Sequence, residues 1–276
     1  MTSTSGNSGV VDAAASTAAS SPMGWIARVG LTARALIYLV MGWLAIVVAL
    51  GGGAKVDQRG ALTKILSQPL GTLLVALMLL GFVAYALWRF SEAAFGVDGD
   101  TSIATRGKSL LRAIAYTIIA IGTLLVLQGA RQPQAKDQAK LAKAALEAPA
   151  GQWILGLVGA GVAIAGLIMI VEGFTTAFLK YFDYLPPARR RAVVNLGRVG
   201  TIARGAVFLI AGVLVILGAM SHDPSRAGGI NEVVQTTLDL PMGPALVFVM
   251  GAGLLIFGVY GLAEAAWRRV PNGDAA

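Results

Sequence analysis

Six charged residues stand at repeated spacings beside long apolar segments and are the candidates for binding or catalysis. They are three arginines and three glutamates: Arg34, Arg112, Arg204, Glu92, Glu172 and Glu264. A guanidinium binds a carboxylate or a phosphate through paired hydrogen bonds. The set can therefore form ion pairs that lock helices together, or a charged ring that gates a pore or binds an anionic ligand.

Residues for other common chemistries are scarce. The sequence has no cysteine, and its one histidine, His222, stands beside Asp223. This excludes a disulfide framework, thiolate chemistry and histidine-rich zinc or haem sites. Asp98 and Asp100 lie in GVDGD, which lacks the twelve-residue calcium pattern. We predict no enzymatic activity, no cofactor and no metal site.

The segments next to the six charged residues are predicted to be apolar helices. The 276 residues are 56% hydrophobic and 13% charged, with a mean hydropathy of +0.73, which is typical of a chain in a bilayer. Six uncharged runs of 18 residues or more span 35–54, 65–88, 113–130, 148–171, 205–222 and 240–263. Each is long enough to cross about 30 Å of hydrocarbon as a helix. The fold class is predicted as an all-α polytopic membrane protein.

The runs fall into three tandem copies. In each copy two arginines stand six residues apart, at Arg28/Arg34, Arg106/Arg112 and Arg198/Arg204. Each second run opens with Pro-x-Gly, at Pro69/Gly71, Pro149/Gly151 and Pro241/Gly243; a glycine follows twelve residues after the proline, and a glutamate twenty-three after it. The glycines are Gly81, Gly161 and Gly253. We predict a disordered cytoplasmic tail over 1–23 and helical hairpins over 24–96, 106–180 and 197–270.

Charge in the loops predicts the orientation. With a cytoplasmic N-terminus, the inner segments hold 14 of the 22 lysines and arginines and the outer loops hold 8, which places both termini in the cytoplasm. The densest run is PPARRR, with Arg189, Arg190 and Arg191. We interpret it, and the net charge of +8, as a contact with anionic lipid headgroups rather than nucleic acid; an acidic docking partner is the alternative for PPARRR.

Helical geometry assigns different tasks to the repeated residues. The first arginine of each copy lies on a different helix face from the second arginine, six residues later. These first arginines, Arg28, Arg106 and Arg198, are predicted to contact headgroups. Arg34 and Glu92 lie level at the cytoplasmic boundary, which predicts the pairs Arg34–Glu92, Arg112–Glu172 and Arg204–Glu264, each closing its own hairpin or bridging to the next. Gly81, Gly161 and Gly253 are predicted to allow close helix approach.

The middle copy departs from the others. Four residues before the second arginine stand Gly30 and Gly200 in the outer copies, but Lys108 in the middle one. Short interfacial helices are expected in the outer loops, and the prolines are expected in the first turn of the following helices. A pseudo-threefold bundle is the simplest closure of three parallel hairpins, with linear or pairwise packing as alternatives.

These motifs resemble a bacterial membrane family catalogued as domain of unknown function 1206. The resemblance rests on the arginine-led openings, the leucine three residues before each Pro-x-Gly and the closing glutamate, and it covers about residues 24–270. It implies residence in the bacterial cytoplasmic membrane and brings no activity with it.

Two classes of function follow. The spans carry no charged residue at their centres, so ion-coupled transport is disfavoured. The first hypothesis is a non-enzymatic accessory or scaffold protein that packs against lipids or a membrane-protein partner. The second is a small-solute channel or carrier gated by the Arg/Glu ring.

Overall fold

The computed structural model describes residues 21–96, 102–129, 134–182 and 185–268, without the side chains of 21–27. Most of the predicted tail and the two aspartates of GVDGD lie outside the described residues. The described part contains nine α-helices: α1 (Ser21–Ala49), α2 (Gln58–Leu66), α3 (Gly71–Phe95), α4 (Ile103–Leu127), α5 (Gln134–Glu147), α6 (Gly151–Thr175), α7 (Pro187–Ser221), α8 (Gly229–Leu238) and α9 (Gly243–Trp267).

The helices repeat a long, short, long order three times. The six long helices are long and apolar enough to cross a membrane, which indicates an integral membrane protein. The predicted all-α fold with six spans is confirmed. The helices also include the charged residues at which the uncharged runs stop, so α3 continues through Glu92 to Phe95.

The short helices α2, α5 and α8 occupy the loops in which interfacial helices were predicted. Each lies between two long helices at the same end of the bundle, which we name the short-helix end. α2 buries Ala61 and Leu62, and α8 buries Val233 and Val234. Their amphipathic faces therefore cap the apolar core.

A tight turn joins each short helix to the next long one. The residue between proline and glycine is left-handed in all three copies, with φ of 61° at Leu70, 60° at Ala150 and 61° at Met242. The glycine follows against the end of the short helix: a Cβ at Gly151 would lie 1.6 Å from the Ala145 carbonyl oxygen. The prolines thus lie two residues before the long helices, and their expected place in the first turn was wrong, because this turn sets the helix start.

The closest helix pairs join different repeats. α3 packs on α4, α6 on α7, and α9 on α1, so the second long helix of each repeat meets the first of the next and the third repeat returns to the first. Small residues permit this approach: a Cβ at Gly42 would lie 2.7 Å from the Gly251 carbonyl oxygen, and one at Gly212 would lie 2.6 Å from that of Gly159. This is the cyclic order of a pseudo-threefold bundle.

Contacts within repeats complete the ring at two of three places. α1 packs on α3 in the first repeat and α7 on α9 in the third. Over the described ranges, no packing of this extent joins α4 to α6 in the second repeat. We call this gap the seam; α4 and α6 are also the least buried of the long helices.

Candidate functional site

The six predicted charges lie at the end of the bundle where α1, α4 and α7 begin and α3, α6 and α9 end. We name it the arginine end. Since the first long helix of each repeat starts there and the second ends there, arginines and glutamates meet at the same level. Which of them touch depends on which helices pack closely.

Arg34 forms an ion pair with Glu264, between α1 and α9. The two side chains are 17% and 6% exposed, and Glu264 also accepts a hydrogen bond of 3.0 Å from Arg268, the residue that follows α9. The predicted partner within the hairpin, Glu92, is not the partner of Arg34. The bridging alternative holds here, because α1 approaches α9 more closely than α3.

Glu92 is satisfied by other groups. Its carboxylate accepts from Arg89 at 2.5 Å and from the Ser109 hydroxyl of α4 at 3.0 Å. Arg89 also donates to the Tyr85 hydroxyl at 2.7 Å. Arg112, at the position equivalent to Arg34, is exposed and makes no ion pair with a described residue.

Arg204 binds aromatic groups in place of a carboxylate. Its Nε donates to the Tyr38 hydroxyl at 2.8 Å, and its guanidinium lies 5.0 Å from the ring centre of Phe208 and 4.9 Å from that of Phe257. Cation–π contacts of this kind stabilise a desolvated guanidinium. Glu172 is half-buried and forms no ion pair with a described residue. Of the six predicted charges, only Arg34 and Glu264 pair with each other in the described ranges.

Two of the predicted headgroup arginines bind helix ends. Arg28 donates to the carbonyl oxygens of Ala265 and Ala266 at 2.7 and 2.6 Å, and Arg106 donates to that of Ala93 at 2.8 Å. Ala93 and Ala265 are equivalent positions in the repeat. These cations satisfy unpaired carbonyls at the negative end of the preceding repeat's helix.

The remaining predicted headgroup residues are exposed at α7. They are Arg189, Arg190, Arg191 and Arg198. Arg189 lies over Trp267, with 5.6 Å from its guanidinium carbon to the ring centre. Their contact with lipid stays a prediction.

The repeated glycines differ in their surroundings. A Cβ at Gly81 would lie 3.1 Å from a Val29 methyl, and one at Gly253 would lie 2.3 Å from the Ala203 Cβ, so both mark close crossings within a hairpin. A Cβ at Gly161 would have no heavy atom within 4 Å among the neighbours described. Gly161 faces the seam.

Sequence differences on both α4 and α6 explain why the seam is open. In the first repeat, Gly30 of α1 lies against α3, where its Cβ would be 3.0 Å from the Tyr85 Cβ. The middle repeat has Lys108 in place of Gly30 and Ala165 in place of Tyr85. A long charged side chain replaces the close approach, and the aromatic ring that would fill the contact is absent.

Several residues were missed by reasoning from the sequence. Arg89 and Ser109 carried no repeated signal, because their equivalents in the other copies differ. Tyr38 shares a repeated aromatic position with Tyr116 and Phe208, but its hydrogen bond to Arg204 was not predicted. A seven-residue spacing of small residues was present and marks two of the close pairs: Gly159/Gly166 with Gly205/Gly212, and Gly251/Gly258 with Ala35/Gly42.

Three segments of the chain match the family described as Domain of Unknown Function (DUF1206), over residues 29–96, 108–176 and 199–268. The chain belongs to the DUF1206 family. Each matched segment begins within the first long helix of one repeat and ends near the close of the second, so one DUF1206 unit contains one long, short, long set of helices.

This DUF1206 protein is also similar to the uncharacterised protein YxxB of Bacillus subtilis. The two are 28% identical over 249 residues, which cover 88% of this chain and 90% of the relative. The similarity therefore includes all three repeats. No solved structure matches the chain.

Proposed function

We propose that this DUF1206 protein is a non-enzymatic accessory or scaffold protein of the bacterial cytoplasmic membrane, and that it holds a transmembrane helix of a partner protein in the seam between α4 and α6. One observation carries the proposal. At the two places equivalent to the seam, the two long helices of a repeat pack on each other, whereas α4 and α6 leave a face of each helix without such a contact in the described ranges.

The chemistry of the seam supports a helix as its occupant. Positions equivalent to the α1–α3 contact are Gly107, Lys108, Leu111, Gly161 and Ala165, which present three small residues, one aliphatic side chain and one lysine. Leu111 is 70% exposed, and Gly107 and Gly161 have open space where a Cβ would be. Small residues let helix backbones approach closely in a bilayer, where packing rather than hydrophobicity drives association.

The rest of the molecule supports a scaffold role. Four charged residues at the arginine end, Arg28, Arg34, Arg204 and Glu264, are engaged in ion pairs, helix caps and aromatic contacts that fix the packing of α1, α9 and α7. The loop charges favour both termini in the cytoplasm, with exposed Arg189, Arg190 and Arg191 against anionic headgroups.

Site-specific photo-crosslinking in growing cells tests the seam. A photoreactive residue at Leu111 is compared with one at Leu80, which is 64% exposed on α3 and faces away from the α1–α3 contact. We expect a protein adduct of one discrete mass from position 111 and none from 80. We also expect Gly161→Leu, which fills the seam, to abolish the adduct at 111.

Equal adducts from both positions, or an adduct at 111 that survives Gly161→Leu, would contradict the proposal. A self-adduct at twice the chain mass would show that the seam binds a second copy of this protein. It would also contradict the proposal that the seam holds a helix of a different protein.

One observation favours the second candidate, a small-solute channel or carrier. Arg204 is a cation among aromatic rings and has no carboxylate partner among the residues that the structure describes, which is the kind of group that attracts an anion. Flux of radiolabelled anions into liposomes holding the purified protein tests it. Flux that Arg204→Gln abolishes would support the carrier, and no flux above empty liposomes would exclude it.

A further inference from the structure

A groove at the short-helix end combines an apolar floor with a basic wall. Its volume is about 470 Å³, within the range of small-ligand sites. The floor is formed by Trp43, Leu44 and Val47 of α1, and the wall by the 53–55 loop and one face of α2. The groove belongs to the outer surface of the bundle and is separate from the seam.

The floor belongs to a helix that is long and apolar enough to cross a membrane. Trp43 stands six residues before the end of α1 at Ala49, about 9 Å along the helix axis. Its side chain is 55% exposed, and Leu50 beyond it is 75% exposed. An indole at this depth belongs to the interfacial belt and contacts the first part of an acyl chain.

The wall carries cations in excess of anions. Lys55, Arg59 and Lys64 line it, and no carboxylate is among its described lining residues. Arg59 is neutralised by Asp137 of α5 at 2.5 Å, but Lys55 and Lys64 are exposed and form no ion pair with a described residue. Two uncompensated lysines therefore stand above an apolar floor, with the hydroxyls of Thr63 and Ser67 beside them.

The wall is held in place by the other two repeats. The Arg59–Asp137 pair ties α2 to α5, and Asn231 of α8 accepts a hydrogen bond of 3.2 Å from the backbone N–H of Val56. Asp57 caps α2 by accepting from the Gly60 N–H at 2.7 Å. The basic face of α2 is thus fixed over Trp43 by contacts outside its own repeat.

We propose that this groove binds one anionic glycerophospholipid from the leaflet at the short-helix end. Lys55 and Lys64 bind the phosphate, Thr63 and Ser67 hydrogen-bond to headgroup or ester oxygens, and Trp43 with Val47 contacts an acyl chain. The two uncompensated charges favour a lipid with net negative charge over a zwitterionic one, since each basic residue near the surface adds attraction to anionic lipid. The apolar floor selects a lipid over soluble phosphate.

Quenching of tryptophan fluorescence by brominated lipids tests the site with an internal control. The signal of Trp43 is the difference between the natural protein and Trp43→Phe, and that of Trp153 is obtained in the same way. Trp153 is 76% exposed on α6, near the same end of the bundle but outside the groove. All three proteins are placed in phosphatidylcholine bilayers containing brominated phosphatidylglycerol or brominated phosphatidylcholine.

We expect half-quenching of Trp43 at an at least fivefold lower fraction of brominated phosphatidylglycerol than of brominated phosphatidylcholine, and nearly equal values for Trp153. Lys55→Ala with Lys64→Ala should remove most of this selectivity, because about fivefold is expected per charge. Lys136→Ala with Lys140→Ala, which removes two exposed lysines of α5 at the same end, should preserve it.

Equal quenching of Trp43 by both lipids would overturn the proposal. So would a loss of selectivity in the α5 variant as large as in the groove variant, because it would indicate surface potential alone. The comparison of Trp43 with Trp153 needs no lysine variant. It therefore tests whether the groove prefers the anionic lipid even if the groove variant folds poorly.

Discussion

Arg34 and Glu264 form an ion pair between residues 230 positions apart in the chain. The pair joins the first long helix of the first repeat to the last helix of the third. Both side chains are largely buried, and Arg268 supplies a second cation to the carboxylate. The first and third repeats are therefore connected by charge as well as by the close packing of α1 on α9.

Loss of the Arg34 charge should destabilise the fold. Arg34→Gln leaves the buried carboxylate of Glu264 with Arg268 alone, and we expect the free energy of unfolding to fall by about 2 kcal/mol. Arg112→Gln is the matched control, since it changes the same repeat position where the side chain is exposed. We expect that control to stay within about 0.5 kcal/mol of the natural protein. Helical circular dichroism during denaturant titration in detergent measures both.

Charge reversal identifies the partner. Arg34→Glu places two carboxylates together and should destabilise the protein more than Arg34→Gln does. A second change, Glu264→Arg, should restore most of the lost stability, with Arg268 limiting the recovery. Glu92→Arg should restore none; recovery by Glu92→Arg instead would mean that the first hairpin closes on itself.

Glycine packing between α6 and α7 predicts a contrast between two glycines. Gly212→Ala would bring a Cβ to 2.3 Å from the Ala163 backbone nitrogen, so the helices must separate. We expect a loss of about 2 kcal/mol. Gly161→Ala meets open space and should be neutral or slightly stabilising through helix propensity. The same denaturant titration compares them, and equal effects would argue against the α6–α7 contact.

The left-handed backbone conformation of the residue before α6 predicts that a glycine at that position would stabilise the protein. Ala150 has φ of 60°, a conformation that costs about 1 kcal/mol for a residue with a Cβ. Ala150→Gly should therefore stabilise the protein or leave it unchanged. Ala144→Gly, an exposed position within α5, should destabilise it by up to about 1 kcal/mol. A destabilising Ala150→Gly would contradict the turn geometry.

Helix capping by arginine predicts unequal effects in equivalent positions. Arg28→Ala removes the donor to Ala265 and Ala266 and should cost about 1 kcal/mol. Arg198 is exposed and forms no such bond with a described residue, so Arg198→Ala should have little effect on stability. If Arg198→Ala reduces the amount of anionic lipid that copurifies with the protein without changing stability, its predicted role at headgroups gains direct support.

Local patterns in the sequence were sufficient to predict the helices and their repeated order. Apolar run length predicted six spans, and fixed offsets predicted three repeats, because both depend on residues near one another in the chain. Amphipathic loops predicted the short helices. Close crossings were predicted at Gly81 and Gly253, where a Cβ would lie 3.1 Å from a Val29 methyl and 2.3 Å from the Ala203 Cβ.

These local patterns could not predict which helices pack against each other. Arg34 is level with both Glu92 and Glu264, and the choice depends on which helices approach more closely in three dimensions. Gly161 carries the same repeat signal as Gly81, but its contact is lost because Lys108 and Ala165 replace the groups that make it. Lys108 showed in the sequence that the middle repeat differs from the others. The open seam that results was visible only from the packing of the helices in the structure.

Disulfide formation between paired cysteines tests the cyclic order of the repeats most directly, and the chain has no cysteine of its own. A Cβ at Gly261 lies 3.0 Å from that of Ala35, close to disulfide geometry after a small shift. We expect Ala35→Cys with Gly261→Cys to form an intramolecular disulfide on mild oxidation, and Lys108→Cys with Gly161→Cys to form none. A disulfide across the second pair and none across the first would contradict a ring that closes between the first and third repeats and opens within the second.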